Sequence, residues 1–276
     1  MIIETGQVAV ITGAGSGIGA ALARACAARG MRVLAADIDR EAAEATAGSL
    51  RHHGADALAA CVDVTRRDAI DDLAASCWQH FGDCHLLCNN AGVSLRKPLI
   101  DCNAADWQRV LAVNLMGTAH AVAAFVPRMR SGGIGHIVNT ASMAGLAPLA
   151  GFGPYVGSKY ALVGLSEVLA QELVGTGIGM SILCPGMVDT HIQLAEQNHP
   201  ATVTEPATTL AADPEPKMES PFDPAYSRCL SPDEVAHITL DAVEKDTLYV
   251  ATHPEWHALF EERRLRIRAD FQQTGG

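Results

Sequence analysis

Val8-Ala9-Val10-Ile11-Thr12-Gly13-Ala14-Gly15-Ser16-Gly17-Ile18-Gly19 is an apolar run that passes straight into a glycine turn and then into an alanine-rich helical pattern. In that strand-turn-helix setting a glycine pattern becomes a phosphate-binding signature. Gly13 permits the tight turn, Gly17 lets the backbone approach a pyrophosphate, and Gly19 allows close helix packing, with Ser16 and Ile18 completing the rim. Free N–H groups and the helix dipole at such a terminus favour an anion. Taken alone, the same turn also serves as a plain strand-to-helix connection.

Outward from this stretch, runs rich in Val, Ile, Leu and Ala recur at 7–12, 32–37, 57–61, 85–89, 136–140, 180–184 and 248–251. Helical patterns at 18–29, 40–52, 67–81, 104–129, 155–172 and 232–245 separate them. Strands without polar alternation are expected where helices cover both faces of a parallel sheet. The pattern predicts one doubly wound α/β domain of the Rossmann type, a seven-stranded parallel sheet flanked by helices. Ser231-Pro232-Asp233-Glu234 is a helix start, with a capping Ser, Pro in the first turn and Glu closing a capping box. Residues 187–230, rich in Pro, Thr, Ala and acids, break the alternation and read as a substrate lid. Residues 254–271 read as an amphipathic C-terminal helix whose Glu-Arg-Arg-Leu-Arg-Ile-Arg run is a solvated or subunit-contacting face.

The 276 residues are 49% hydrophobic, with a mean hydropathy of +0.13, typical of a compact enzyme and of no disordered chain. The longest apolar stretch, 110–126, is interrupted by Asn114 and His120 and falls short of the roughly 20 residues of a membrane span. A buried helix is expected there. The N-terminus lacks the pattern of a secretory signal, which leads to the expectation of a cytoplasmic protein. Eight cysteines without a Cys-x-x-Cys pair read as small buried thiols. A net charge of −11 argues against nucleic acid or an anionic membrane as a partner. A small molecule is expected instead. His253 and His257 could share a helix face, but no third ligand is near, so a surface pair is expected and no metal.

Asp37 ends the second strand, eighteen residues after Gly19, where a carboxylate can accept hydrogen bonds from both hydroxyls of an adenosine ribose. It would repel a 2′-phosphate, and neither Ser16 nor Ile38 offers a compensating cation, so NAD is the predicted cofactor. Tyr155 and Lys159, four apart, project from one helix face thirteen residues beyond Ser142. An alcohol that gives up hydride must also lose its hydroxyl proton, and Tyr155 is the candidate base. An ammonium about 4 Å away at an effective dielectric of about 20 would favour the phenolate by on the order of 4 kcal/mol, roughly 3 pKa units. Ser142 can orient the reacting oxygen. Asn114, inside an otherwise apolar helix, needs a partner, since an unpaired buried amide costs about 1–3 kcal/mol.

Together with Asn89-Asn90-Ala91-Gly92, Pro185-Gly186 and the spacing Thr-Gly-x-x-x-Gly-x-Gly at 12–19, these residues resemble the classical short-chain dehydrogenase/reductase family. The motifs occur in the family's order between Thr12 and Thr190. The resemblance implies that Asp63, Val64 and Val113 lie along the adenine and that Asn90, Ala91 and Gly92 line the cofactor. It implies that Pro185, Gly186, Val188 and Thr190 cover the nicotinamide and pyrophosphate. It further implies that Lys159 holds the nicotinamide ribose while acting on Tyr155, and that Asn114 bends its helix and holds a water in a proton relay. A homotetramer or homodimer, built on the helices 104–129 and 155–172, is implied as well.

Leu95, Met143, Leu146, Leu149, Phe152, Met187 and Ile192 are expected around the reacting carbon, with no charged residue between Ser142 and Tyr155. Such a wall suits a neutral, hydrophobic secondary alcohol or its ketone. The expected activity is NAD-dependent oxidation of that alcohol. An NADP-dependent carbonyl reductase and a non-catalytic cofactor-binding regulator remain as alternatives. The first conflicts with Asp37, and the second gives no reason to keep Ser142, Tyr155 and Lys159 together.

Overall fold

The computed structural model describes residues 1–190, 192 and 228–274. Seven parallel strands form one sheet in the order β3-β2-β1-β4-β5-β6-β7. They are β1 Val8–Thr12, β2 Arg32–Asp37, β3 Ala57–Cys61, β4 Leu86–Asn89, β5 Gly135–Thr140, β6 Ile178–Cys184 and β7 Tyr249–Ala251. The helices between them are α1 Gly17–Ala28, α2 Arg40–His52, α3 Arg67–Phe81, α4 Ala104–Leu111, α5 Gly117–Gly132, α6 Gly153–Glu172 and α7 Pro232–Glu244, with α8 His257–Thr274 at the end. Strand order reverses between β1 and β4, and ligands of such sheets bind outside the carboxyl ends of the strands at that switch point.

Each sheet face carries its own core. Ala21, Leu22 and Cys26 of α1, Leu50 of α2, and Val235, Leu240 and Val243 of α7 pack on one side. Ile70, Leu73 and Phe81 of α3, Phe125 and Met129 of α5, and Leu162 and Leu169 of α6 pack on the other. Burying each of these larger side chains contributes about 1.5–3 kcal/mol. Central β1 is buried throughout, whereas the edge strands β3 and β7 are only partly covered, which explains the small residues of Ala57–Cys61.

The expected helix over 104–129 is continuous but not uniform. A π-helical turn at Ala112–Met116 separates α4 from α5, and the chain leaves α5 through Gly133 at φ +74°. By length and composition Ala104–Gly132 could cross a membrane; in this fold Val110, Phe125 and Met129 turn one face to the core. Helix α6 begins two residues before Tyr155, with Pro154 in its first turn. The start at Ser231 is a complete capping box with Glu234. Most of the expected lid lies outside the described residues. The C-terminal element is helical after a short 3₁₀ turn, Pro254–Trp256, but α8 lacks the expected amphipathic character: Trp256, Leu259 and Phe260 at the start of the element pack on the core, whereas Leu265, Ile267 and Phe271 are exposed. Two thiols, Cys61 and Cys229, are exposed rather than buried.

Candidate active site

At the carboxyl end of β1, Gly13 takes φ +65° and backs onto Ala91. Gly17 takes φ +51°, and a Cβ there would stand 3.1 Å from Thr190 Cγ2, so the glycine turn and the segment after β6 lie face to face. Ser16 makes no side-chain cap on α1. The first N–H groups of the helix are therefore left for an anion. Asp37 reaches into the same turn, its Oδ2 accepting from Gly15 N at 2.8 Å and its Oδ1 from Asp39 N at 3.0 Å. A carboxylate offers about four acceptor positions, so two bonds leave capacity for a diol. The turn and Asp37 thus fit the adenosine and pyrophosphate of a dinucleotide.

Asn90, expected to line the cofactor, has a bracing role in the structure. Its Nδ2 donates to Thr12 O at 3.2 Å and Gly13 O at 3.3 Å, and its Oδ1 accepts from Thr140 Oγ1 at 3.3 Å. Thr12 Oγ1 in turn accepts from Asn90 N at 3.0 Å and Ala91 N at 3.1 Å. The side chain is a brace between β1, β4 and β5, and it shapes the floor of the site through the backbone of Ala91 and Gly92. Asp63 accepts from Thr65 N and Oγ1 at 2.9 and 2.7 Å, which makes it a turn former after β3. Val64 is buried against Gly117 of α5, and Val113 is partly buried beside the core.

Ser142 follows β5, and its Oγ accepts from Ala144 N at 3.0 Å to start a 3₁₀ turn, Met143–Gly145. A hydrogen bond links it to Tyr155. Lys159 Nζ lies 5.6 Å from the Tyr155 ring centre and donates to Thr140 O at 2.8 Å. These three residues, expected from spacing alone, converge at the ends of β5 and α6.

Their electrostatics depart from the expectation. The Tyr155 phenol is pushed up, because burial outweighs the opposing bond from Ser142. The Lys159 ammonium is itself brought down to about 8 by burial. Spacing alone counted the attraction between the pair and omitted what desolvation costs each member. Nearby Cys184 is held up at about 12 by burial, a neutral thiol at physiological pH.

Asn114 sits in the π turn and is 1% exposed. Its Nδ2 donates to Val93 O at 2.9 Å and Ser158 Oγ at 3.0 Å, and its Oδ1 accepts from Val93 N at 2.8 Å. The amide ties the loop after β4 to α6. Gly92 lies between its Oδ1 and Lys159 Nζ, since a Cβ there would stand 3.4 and 3.6 Å from the two.

Beyond β6, Pro185 O accepts from Met143 N at 2.9 Å, joining this loop to the Ser142 turn. Val188 is bridged to Leu230, and Asp189 N donates to Leu230 O at 2.9 Å. Phe152 stands beside Tyr155 with ring centres 6.4 Å apart; of the other residues expected at the wall, Leu146, Leu149 and Met187 are half-buried, Leu95 is buried and Ile192 is exposed. Met143 departs from the expected wall, for at 1% exposure it is packed into the core beneath the site. Lys97, bridged to Phe152, is neutralised by Asp106 at 2.8 Å.

The expected surface pair of histidines does not form. His253 is 1% exposed, held between Gly186 and Arg228, while His257 is exposed beside Glu261 at 3.9 Å. Among the described residues no cluster of three or more His, Cys, Asp or Glu could hold a metal. Thr12, Thr140 and Ser158 were not singled out from sequence, since isolated hydroxyls carry no periodic signal.

The short chain dehydrogenase model matches residues 7–201. The 1-deoxy-11-beta-hydroxypentalenate dehydrogenase of Streptomyces exfoliatus is 37% identical over 271 residues, covering 97% of this chain and 88% of that one. A short chain dehydrogenase/reductase from Burkholderia phymatum, solved in complex with NAD, is 38% identical with a TM-score of 0.88, covering 98% of this chain and 97% of the other. A metagenomic short-chain oxidoreductase solved in complex with NADP is 29% identical with a TM-score of 0.69, covering 91% and 96%. With that match running from the first strand past Thr190, the chain belongs to the short-chain dehydrogenase/reductase family, oxidoreductases that bind a nicotinamide cofactor.

Proposed function

We propose that this enzyme is an NAD-dependent dehydrogenase of neutral, hydrophobic secondary alcohols. The observation that carries the reading is the convergence of Ser142, Tyr155 and Lys159, with Phe152 beside the phenol. Bound there, the nicotinamide would accept hydride from the alcohol and bring a positive charge near the phenol. The chain supplies the rest. Ser142 orients the alcohol oxygen, Tyr155 as phenolate takes its proton, and Lys159, anchored on Thr140 O, would offer its remaining donors to the ribose and its charge to the phenolate. In the reverse direction the neutral phenol gives the proton back.

Asp37 supports NAD over NADP, because a carboxylate held beside the glycine turn would repel a 2′-phosphate. The expected wall of Leu95, Leu149, Phe152, Met187 and Ile192 favours an uncharged substrate, and Lys97, bridged to Phe152, is already paired with Asp106. A groove between α5 and α6, lined by Ala119, Val122, Leu165 and Val168, supports assembly into a homodimer or homotetramer through these helices.

The test is formation of reduced nicotinamide with aliphatic, alicyclic and aryl secondary alcohols, using NAD and NADP in parallel. Turnover with NAD and at least one alcohol class is expected. Turnover with NADP alone would overturn the cofactor assignment, and none with either would favour a non-catalytic role.

A further inference from the structure

His253 lies past the end of β7, outside the family's motifs, yet it touches both Gly186, which opens the stretch Gly186–Thr190 expected beside the nicotinamide, and the backbone at Arg228. Its Nε2 is 2.8 Å from Arg228 O. A carbonyl only accepts, so Nε2 carries the proton and Nδ1 is an acceptor. Two donors meet it there: Thr252 Oγ1 at 2.7 Å and Gly186 N at 3.2 Å, the latter shared with Thr252 Oγ1 at 3.2 Å. Every polar atom of this buried ring is thus matched in one neutral tautomer, and Trp256 stands against it with ring centres 5.4 Å apart.

The ring also explains a glycine. A Cβ on Gly186 would stand 2.5 Å from His253 Nδ1, so the loop after β6 can sit this low only without a side chain. From Gly186 the chain runs through Val188 to Thr190, which faces Gly17. Leu230, two residues past the carbonyl that His253 holds, is hydrogen-bonded to Met187 and Asp189 at 3.0 and 2.9 Å. One residue before Gly186, Pro185 is bonded to the Ser142 turn.

We infer that His253, in its neutral Nε2–H form, is a positioning residue for the nicotinamide half of the cofactor, fixing Gly186–Thr190 by tying Gly186 to the backbone at Arg228. This rests on the proposed nicotinamide-dependent activity. A ring that only held the fold together would act on the whole dinucleotide alike, whereas a positioning role separates the two halves.

The experiment compares binding of NADH, by its fluorescence, with binding of ADP-ribose, by calorimetry, in wild type, His253→Phe and His253→Asn; if NADPH binds the wild type more tightly, it and 2′-phospho-ADP-ribose replace them. His253→Phe is expected to weaken NADH about tenfold and to leave ADP-ribose unchanged. Asn offers an acceptor near the position of Nδ1 but no donor to Arg228 O and should recover part of the loss, giving a second readout if the Phe variant folds poorly. KM for the dinucleotide should rise more than kcat falls. Equal weakening of both ligands, or no weakening of either, would overturn the role of His253 alone. A wild type that binds ADP-ribose but gains nothing from the nicotinamide ring would overturn the parent reading, and this one with it.

Discussion

At the scale of single residues, the proposed preference for NAD rests on Asp37. Its replacement by Ala removes the charge that would repel a 2′-phosphate, together with the acceptor of Gly15 N, so both dinucleotides lose some affinity but the ratio of kcat/KM for NAD over NADP should fall by about tenfold or more. An unchanged ratio would contradict the assignment. Tyr155 sets the pH dependence. Its phenol is raised by burial, so the base form needed for oxidation grows only as pH climbs, and kcat/KM for alcohol oxidation should rise with pH, whereas reduction should fall on the same limb. A pH-independent oxidation rate across the neutral and alkaline range would contradict this role. Asp37, Ser142, Tyr155 and Lys159 were legible in the sequence because strand ends and helical spacing place them. The phenol's raised pKa was not, because burial is set by chain segments far away in sequence. His253 was misread for the same reason, with partners 67 and 25 residues distant.

At the scale of elements, the π turn at Ala112–Met116 is the least regular feature and the one most tied to the site. Sequence showed an apolar helix with an asparagine in it. The extra residue in the turn follows from Asn114 reaching Val93 and Ser158 at once, which local pattern does not record. Asn114→Leu would leave the Val93 N–H and C=O without their partners and should cost about 2–4 kcal/mol by urea unfolding, with turnover slowed in a protein that still folds. A loss near zero would mean that water satisfies those groups. β5 carries a second buried polar group. His136 Nε2 bonds Ser181 Oγ at 2.8 Å, and burial brings its pKa down to about 4 from an ordinary 6.5. A depressed pKa contributes stability in full above pH 6.5 that fades as pH falls toward 4, here about 3 kcal/mol at most. Unfolding free energy in wild type should therefore drop between these pH values more steeply than in His136→Asn, and parallel curves would contradict it.

Across the whole molecule, the order of strands puts every element of the site at one sheet edge. The glycine turn after β1, Asp37 after β2, the Asn90 brace after β4, Ser142 after β5 and Gly186 after β6 all lie at carboxyl ends of parallel strands. That much was readable from the seven apolar runs and their glycine and proline stops. Strand limits moved by one or two residues: Gln7, His85 and Leu248 fall outside, whereas Gly135, Ile178 and Gly179, which carry no strand-like run of their own, pair across β5 and β6. The exposed α5–α6 face belongs to this scale too. Val168→Glu should shift the protein from an oligomer to a monomer by light scattering, and a monomeric wild type would contradict the assembly. The central claim, that Tyr155 moves the proton while a nicotinamide takes the hydride, is tested most directly by single-turnover formation of NADH in wild type and Tyr155→Phe at saturating alcohol and NAD. A fall of about 10²–10⁴-fold with NADH affinity retained is the predicted result; an undiminished rate in the variant would contradict it.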